Sequence, residues 1–285
     1  RRRSAALPVA RILLLLVVTI GAPYFLVATT SPLIQDWFAR THPGRSPYRL
    51  YALSNVGSLL ALVTYPFLVE PTFTLKTQCL AWSAGYAAFV ALAGVCAGRI
   101  AKRGRQVAHV PHEPDAPEVP PETEQIARTV PRSPFAEPTW FTVLLWLLLA
   151  ACGTILLLAT TNQMCQEVAV VPFLWVLPLA LYLLTFILCF DSPRWYLRPF
   201  FAGLLIASGA VMITLLKSGV KCPMPLQIAA YSAAMFVMCM VCHGELVKLR
   251  PAPRHLTLFY LAISAGGALG GAFVVLVATR LFDGY

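Results

Sequence analysis

Two cysteines and a histidine in the run Cys239-Met240-Val241-Cys242-His243 have the spacing used for attachment of a c-type haem. Gly244 and Glu245 follow at once, and Lys248, Arg250 and Arg254 come soon after, at the end of a long apolar run. Haem attachment to such a motif takes place on the oxidising side of a membrane, whereas clustered Lys and Arg mark the cytoplasmic side. The two readings exclude each other, so the topology of the chain must decide between them.

The chain has 285 residues, of which 58% are hydrophobic and 12% charged, with a mean hydropathy of +0.72. Soluble domains carry about 25% charged residues, so half of the usual polar surface is missing. This composition excludes a soluble globular protein and predicts an all-α, polytopic integral membrane protein. The net charge of +10 does not imply nucleic acid, because the Lys and Arg lie between apolar runs, where topology determinants are placed. No cleavable signal peptide is evident: the apolar run after Arg1–Arg3 is too long and has no clear cleavage site.

Eight runs are long enough to cross a bilayer as helices: 8–30, 49–69, 77–99, 140–161, 170–190, 197–217, 225–247 and 256–281. They are apolar on all sides, whereas β-barrel strands would alternate. If the third run ends in the cytoplasm, the inside loops hold 14 of the 22 Lys and Arg, including Arg49, Arg99, Arg194, Arg198, Lys248, Arg250 and Arg254. Four of the remaining eight are Arg1, Arg2, Arg3 and Arg11, which is the one place where the bias fails. One explanation is that Arg1 is not the natural start and that earlier helices are missing; the carboxyl end, Phe282-Asp-Gly-Tyr285, also stops abruptly.

With this orientation Cys239, Cys242 and His243 lie at the reducing end of the seventh span. No haem thioether and no metal or other cofactor is expected there. The two Cys, three residues apart on one helix face, are expected to pack as small apolar groups. His243 and Glu245 are then placed near the cytoplasmic headgroups, with Glu245 paired to Lys248.

The domain organisation is three membrane helices over 1–100, a Pro- and Glu-rich cytoplasmic linker over 101–138, and five membrane helices over 139–285. The linker cannot bury a core, but Pro-rich extended segments dock readily. Partners are therefore expected to be the lipid bilayer and other membrane subunits, bound through this loop and the Gly-rich eighth span, with no nucleic acid.

That span contains two overlapping small-xxx-small pairs, Gly266/Gly270 and Gly267/Gly271, which let a second backbone approach closely. Gly57 is a helix-packing candidate for the same reason. Tyr51, Ser54 and Gly57 of the second span have counterparts in Tyr260, Ser264 and Gly267 of the eighth, allowing one gap. Likewise Leu26–Gln35 parallels Leu157–Gln166. These intervals resemble the nested repeats of major-facilitator folds.

Candidate functional polar residues are Gln35, Ser54, Asn55, Gln163, Gln166, Glu167, His243 and Glu245, all in or bordering spans. All the acids lie near span ends, so capping, snorkelling and interhelical hydrogen bonds are the alternative roles. Pro172 and Pro178 predict a kink in the fifth span. Cys165 and Cys222 fall in loops assigned to the oxidising face and are the only expected disulfide pair. The common nucleotide, zinc-hydrolase and serine-hydrolase motifs are absent from the sequence.

Taken in order, Thr30-Ser-Pro-Leu-Ile-Gln35, Pro47–Ser58, Tyr65-Pro-Phe-Leu-Val-Glu-Pro71, Pro172–Pro178 and Cys242-His-Gly-Glu-Leu246 followed by Arg250-Pro-Ala-Pro-Arg-His255 resemble the membrane part of fused MFS/spermidine synthase-like bacterial proteins. The resemblance covers nearly the whole chain except the linker. It implies a soluble aminopropyltransferase-like domain, which is absent from this sequence together with its nucleotide loop and catalytic Asp.

Three functions follow as alternatives. The first is a non-catalytic membrane subunit or anchoring domain packed in a larger assembly. The second is a transporter or channel for a small, polyamine-like solute, with a polar midplane cavity lined by Ser54, Asn55, Ser58 and Ser264. The third is the membrane part of an aminopropyltransferase-like enzyme whose catalytic domain is elsewhere.

Overall fold

The computed structural model describes residues 11–12, 14–42, 47–108, 137–168, 174–218 and 223–281, apart from a few helical side chains. The described residues form helices and short connections, without strands. Eight helices have 16 residues or more: α1 Ala22–Thr41, α2 Tyr48–Thr64, α3 Leu75–Ala108, α4 Trp140–Asn162, α5 Val176–Asp191, α6 Arg198–Ser218, α7 Met224–Lys248 and α8 Leu256–Ala272. They correspond in order to the eight apolar runs. Among the described residues, six stretches are long and apolar enough to cross a membrane: Tyr48–Thr72, Leu75–Lys102, Trp140–Cys165, Arg198–Leu215, Met224–Lys248 and Leu256–Ala278. The protein is an all-α polytopic membrane protein.

Several boundaries differ from the sequence reading, for reasons of backbone chemistry. Helix α1 does not stop near residue 30 but runs through Pro32 to Thr41, which carries Gln35 and Asp36 into the helix. Helix α3 continues through residues 101–108, so the linker begins later than position 101. The linker from 109 to 136 lies outside the described residues. Pro178 does not kink the middle of a span. It sits in the first turn of α5, where a helix has no use for its N–H; Pro172 lies outside the described residues. Pro66 does disturb its helix: the missing N–H is accommodated in a wide π-helical turn over Tyr65–Val69. Similar wide turns precede α1 at Val17–Gly21, follow α4 at Gln163–Val168 and follow α8 at Phe273–Ala278.

The chain divides into two compact units, one of residues 1–60 and 137–285, the other of residues 61–136. In the second unit, the end of the Tyr48–Thr72 span and α3 form a hairpin around Phe73 and Thr74. The Tyr65 hydroxyl donates to Gln78 Oε1 at 3.0 Å, and Gln78 Nε2 donates to the Phe73 carbonyl at 2.8 Å. An apolar cleft of about 630 Å³ lies inside this turn, lined by Tyr65, Val69, Phe73, Leu75 and Trp82 among others.

The first unit has its core between α4, α7 and α8. The α4–α8 pair is the most extensive contact, and glycine is the reason. A Cβ added at Gly266 would lie 2.5 Å from the Leu147 carbonyl oxygen, and one at Gly270 would lie 2.5 Å from that of Ala151. The two backbones therefore touch, and close backbone approach gives membrane helices their dispersion contacts. Gly267 is looser, facing Thr154 Oγ1 at 3.4 Å. Gly57 and Gly271 have no described atom within 4 Å of an added Cβ, so neither is packed against another helix among the described residues. Aromatic rings fill the space beside this seam: Trp146 meets Phe259 edge-on at 5.0 Å, and Tyr51 contacts Phe186, Phe190 and Tyr260.

Candidate functional site

The haem-like motif falls within the last three turns of α7. Cys239 is fully buried and Cys242 nearly so. The Cys242 thiol lies beside that of Cys152 on α4. Cys189 on α5 reaches across to the Met240 carbonyl and thioether, each at 3.8 Å.

His243 faces the interior of the unit. It is 0% exposed, with its ring stacked on Phe186 at 3.7 Å and edge-on to Tyr182 at 5.0 Å. The Thr185 hydroxyl donates to the Tyr182 carbonyl at 2.7 Å. Its hydrogen is thus committed, so the 2.9 Å contact between Thr185 Oγ1 and His243 Nδ1 is donated by the imidazole. This fixes the tautomer and leaves Nε2 as a buried acceptor without a hydrogen bond among the described residues. Nε2 points at Gly153, where an added Cβ would come within 3.1 Å of it. Neither face nor edge of the ring is open to a ligand.

One residue on, Gly244 lies beneath the Tyr196 ring, and any side chain there would fall far inside contact distance of three ring carbons. This lets the turn between α5 and α6 fold down onto α7. Glu245 then reaches that turn. Arg198 Nε donates to Glu245 Oε1 at 2.8 Å, its Nη2 donates to Oε2, and the Tyr196 hydroxyl donates to Oε1 at 2.8 Å. Such a forked guanidinium–carboxylate pair is directional as well as attractive. Lys248, the partner expected from the i,i+3 spacing, is more distant, at 4.0 Å from Oε1. It also lies over the Tyr196 ring at 4.7 Å. Burial of Tyr196, and then the hydrogen bond to Glu245 and its negative charge, hold the Tyr196 phenol above its ordinary pKa.

The same end of the unit gathers the other charged loops. Arg49 at the start of α2 pairs with Asp191 at the end of α5, 3.8 Å apart. Glu137, just before α4, meets Arg254 and His255, the latter at 3.1 Å. The loop joining α7 to α8 has its carbonyls bound from below: Trp146 Nε1 donates to Leu249 O at 3.0 Å, and the Tyr48 hydroxyl donates to Pro251 O at 2.6 Å. Arg250 lies over the Tyr48 ring at 5.2 Å.

The remaining candidates are dispersed. Gln35 is buried; its Oε1 accepts from the Tyr260 hydroxyl at 2.6 Å and its Nε2 donates to Ser31 at 3.2 Å. Asn55 donates to the Tyr51 carbonyl of its own helix at 2.9 Å. Ser54, Ser58 and Ser264 are exposed, so these residues do not enclose the expected midplane cavity. Gln163 lies beside Tyr231. Gln166 and Glu167 fall in the wide turn after α4, with side chains outside the description. Cys165 belongs to that turn and is half-buried rather than in an open loop. Its expected disulfide partner, Cys222, lies outside the described residues.

Sequence reasoning missed Thr185, Tyr196, Arg198 and Gly153. One signal was available: Gly244 interrupts a helix at a cost of about 1 kcal/mol relative to Ala, which calls for a packing reason.

In comparisons with known proteins, no protein-family model matches the chain, and neither a curated protein nor a solved structure shows a detectable match.

Proposed function

We propose that this chain is a non-catalytic, multi-pass subunit or anchoring domain of a larger membrane assembly. The observation that carries the reading is how the Cys242-His243-Gly244-Glu245 run is used. It holds the most reactive side chains of the core, and each one joins helices: Cys242 meets α4, His243 meets α5, Gly244 receives Tyr196, and Glu245 binds Arg198. Groups held in this way stiffen a framework and are not presented to a substrate. The resemblance to the membrane part of fused MFS/spermidine synthase-like proteins is compatible with this role, any transferase chemistry being supplied by another domain. The bacterial inner membrane, with the Arg- and Lys-rich end in the cytoplasm, belongs to the same proposal.

The test is two-dimensional native electrophoresis of gently solubilised membranes. The chain is expected to migrate with a reproducible set of other polypeptides. Migration as a lone chain of 31.1 kDa plus detergent would refute the assembly. Uptake of a polyamine by proteoliposomes of the pure chain would replace it with the transporter reading.

A further inference from the structure

The turn between α5 and α6, Ser192–Leu197, carries cations on its polar side and large apolar side chains beside them. Arg194 is exposed, and its guanidinium meets no acid among the described residues. Arg198 and Lys248 lie close by and share the single carboxylate of Glu245. With Arg49 and Asp191 included, four cations face two anions around this turn.

The apolar side is equally open. Trp195 and Leu197 on the turn are 55% and 60% exposed, and Phe200 on the first turn of α6 is 59% exposed. Helix α6 packs on α7, burying Phe201 and Ser208, and turns Ile206 and Ile213 outward. An uncompensated cation thus stands at the head of an outward apolar column. A soluble anion would use the cation only. A ligand with an anionic head and hydrocarbon tails matches both, and Trp at the junction is the side chain suited to headgroup depth.

We infer that this turn binds an anionic phospholipid, with the headgroup phosphate on Arg194 and Arg198 and an acyl chain along the outer face of α6. The proposal concerns the turn itself and holds whether or not the chain is part of a larger assembly.

The experiment uses the full chain in nanodiscs of phosphatidylcholine, with and without phosphatidylglycerol. Lipid retained after detergent release is counted by native mass spectrometry, and thermal stability is followed in parallel. The wild type is expected to retain phosphatidylglycerol in preference to phosphatidylcholine and to melt at higher temperature in its presence. Arg194→Gln, whose side chain makes no ion pair to lose, should keep the wild-type melt in phosphatidylcholine. Its retention of phosphatidylglycerol should fall about fivefold, the effect of one basic residue at a lipid surface. Lys217→Gln, at the opposite end of α6, should retain phosphatidylglycerol as the wild type does. Equal retention by wild type and Arg194→Gln overturns the inference, as does equal retention of the two lipids. Stabilisation by inorganic phosphate to the same extent as by the phospholipid would also overturn it, by assigning the site to a soluble anion.

Discussion

The Tyr196 ring rests against Gly244, at a distance that no other residue type at position 244 could allow. The contact orders a short sequence of dependencies. With no side chain at 244, the α5–α6 turn lies down on α7. The Tyr196 hydroxyl and the Arg198 guanidinium then converge on Glu245. Gly244→Ala is therefore expected to destabilise the protein by about 1–3 kcal/mol, the usual cost of overpacking. Gly203→Ala, with nothing within 4 Å of its new Cβ, should be neutral or mildly stabilising. Thermal melts of the two variants in one detergent check this. Equal melting temperatures would show that the ring can move aside freely.

Tyr196 also gives a pH dependence. Its folded pKa is raised above the unfolded value of about 10. The folded state thus holds the phenolic proton more tightly than the unfolded chain does. The associated stability is complete below about pH 10 and declines as pH climbs above that point. Tyr196→Phe removes this contribution and the hydrogen bond to Glu245. The wild-type advantage over Tyr196→Phe should be constant through neutral pH and shrink in alkali. A difference that stays flat into alkali would show that Tyr196 is not the titrating group.

The glycines of α8 separate by face. Gly266→Ala and Gly270→Ala each drive a methyl into an α4 carbonyl and should cost about 1–3 kcal/mol. Gly271→Ala enters open space and should gain up to about 1 kcal/mol from helix propensity. Gly267→Ala meets only Thr154 Oγ1 and should fall between. Detergent melts of the four variants give the order directly, and a uniform loss across them would contradict packing through the Gly266/Gly270 face.

The contrast between these glycines shows how much the sequence could tell. Apolar run length located the helices, since a bilayer-spanning helix needs about 20 such residues and little else. It could not say which face each helix buries, because helices apolar on all sides carry no stripe to read. Of two overlapping glycine pairs, only Gly266/Gly270 meets α4 through both members, and nothing in the spacing distinguishes them. The direction in which His243 faces is hidden for the same reason. Only its distance from the helix end, five residues before Lys248, is legible in the sequence. Glu245 was recognised as an interfacial acid, whereas its main partner, Arg198, is 47 positions away, beyond the reach of any local pairing rule. Ser54, Ser58 and Ser264 are small polar residues at positions where a membrane helix admits them outward, so polarity alone did not indicate a cavity.

The buried pair His243 and Thr185 is expected to show an asymmetry. Thr185→Val keeps the shape of the side chain but removes the acceptor for Nδ1–H, leaving a second unpaired nitrogen on an imidazole whose Nε2 already has no partner. Stranding a buried donor costs about 1–3 kcal/mol. His243→Phe removes both ring nitrogens, keeps a planar ring for stacking on Phe186, and leaves the Thr185 hydroxyl donating to the Tyr182 carbonyl. The Phe variant should therefore be the milder of the two, although its extra ring carbon must fit beside Gly153. In the double variant the Thr185→Val penalty should largely vanish, because no donor remains to be stranded. A full double-mutant cycle of melts measures this. Strict additivity would mean that the two side chains are energetically independent and that the 2.9 Å contact is not a hydrogen bond that stabilises the fold.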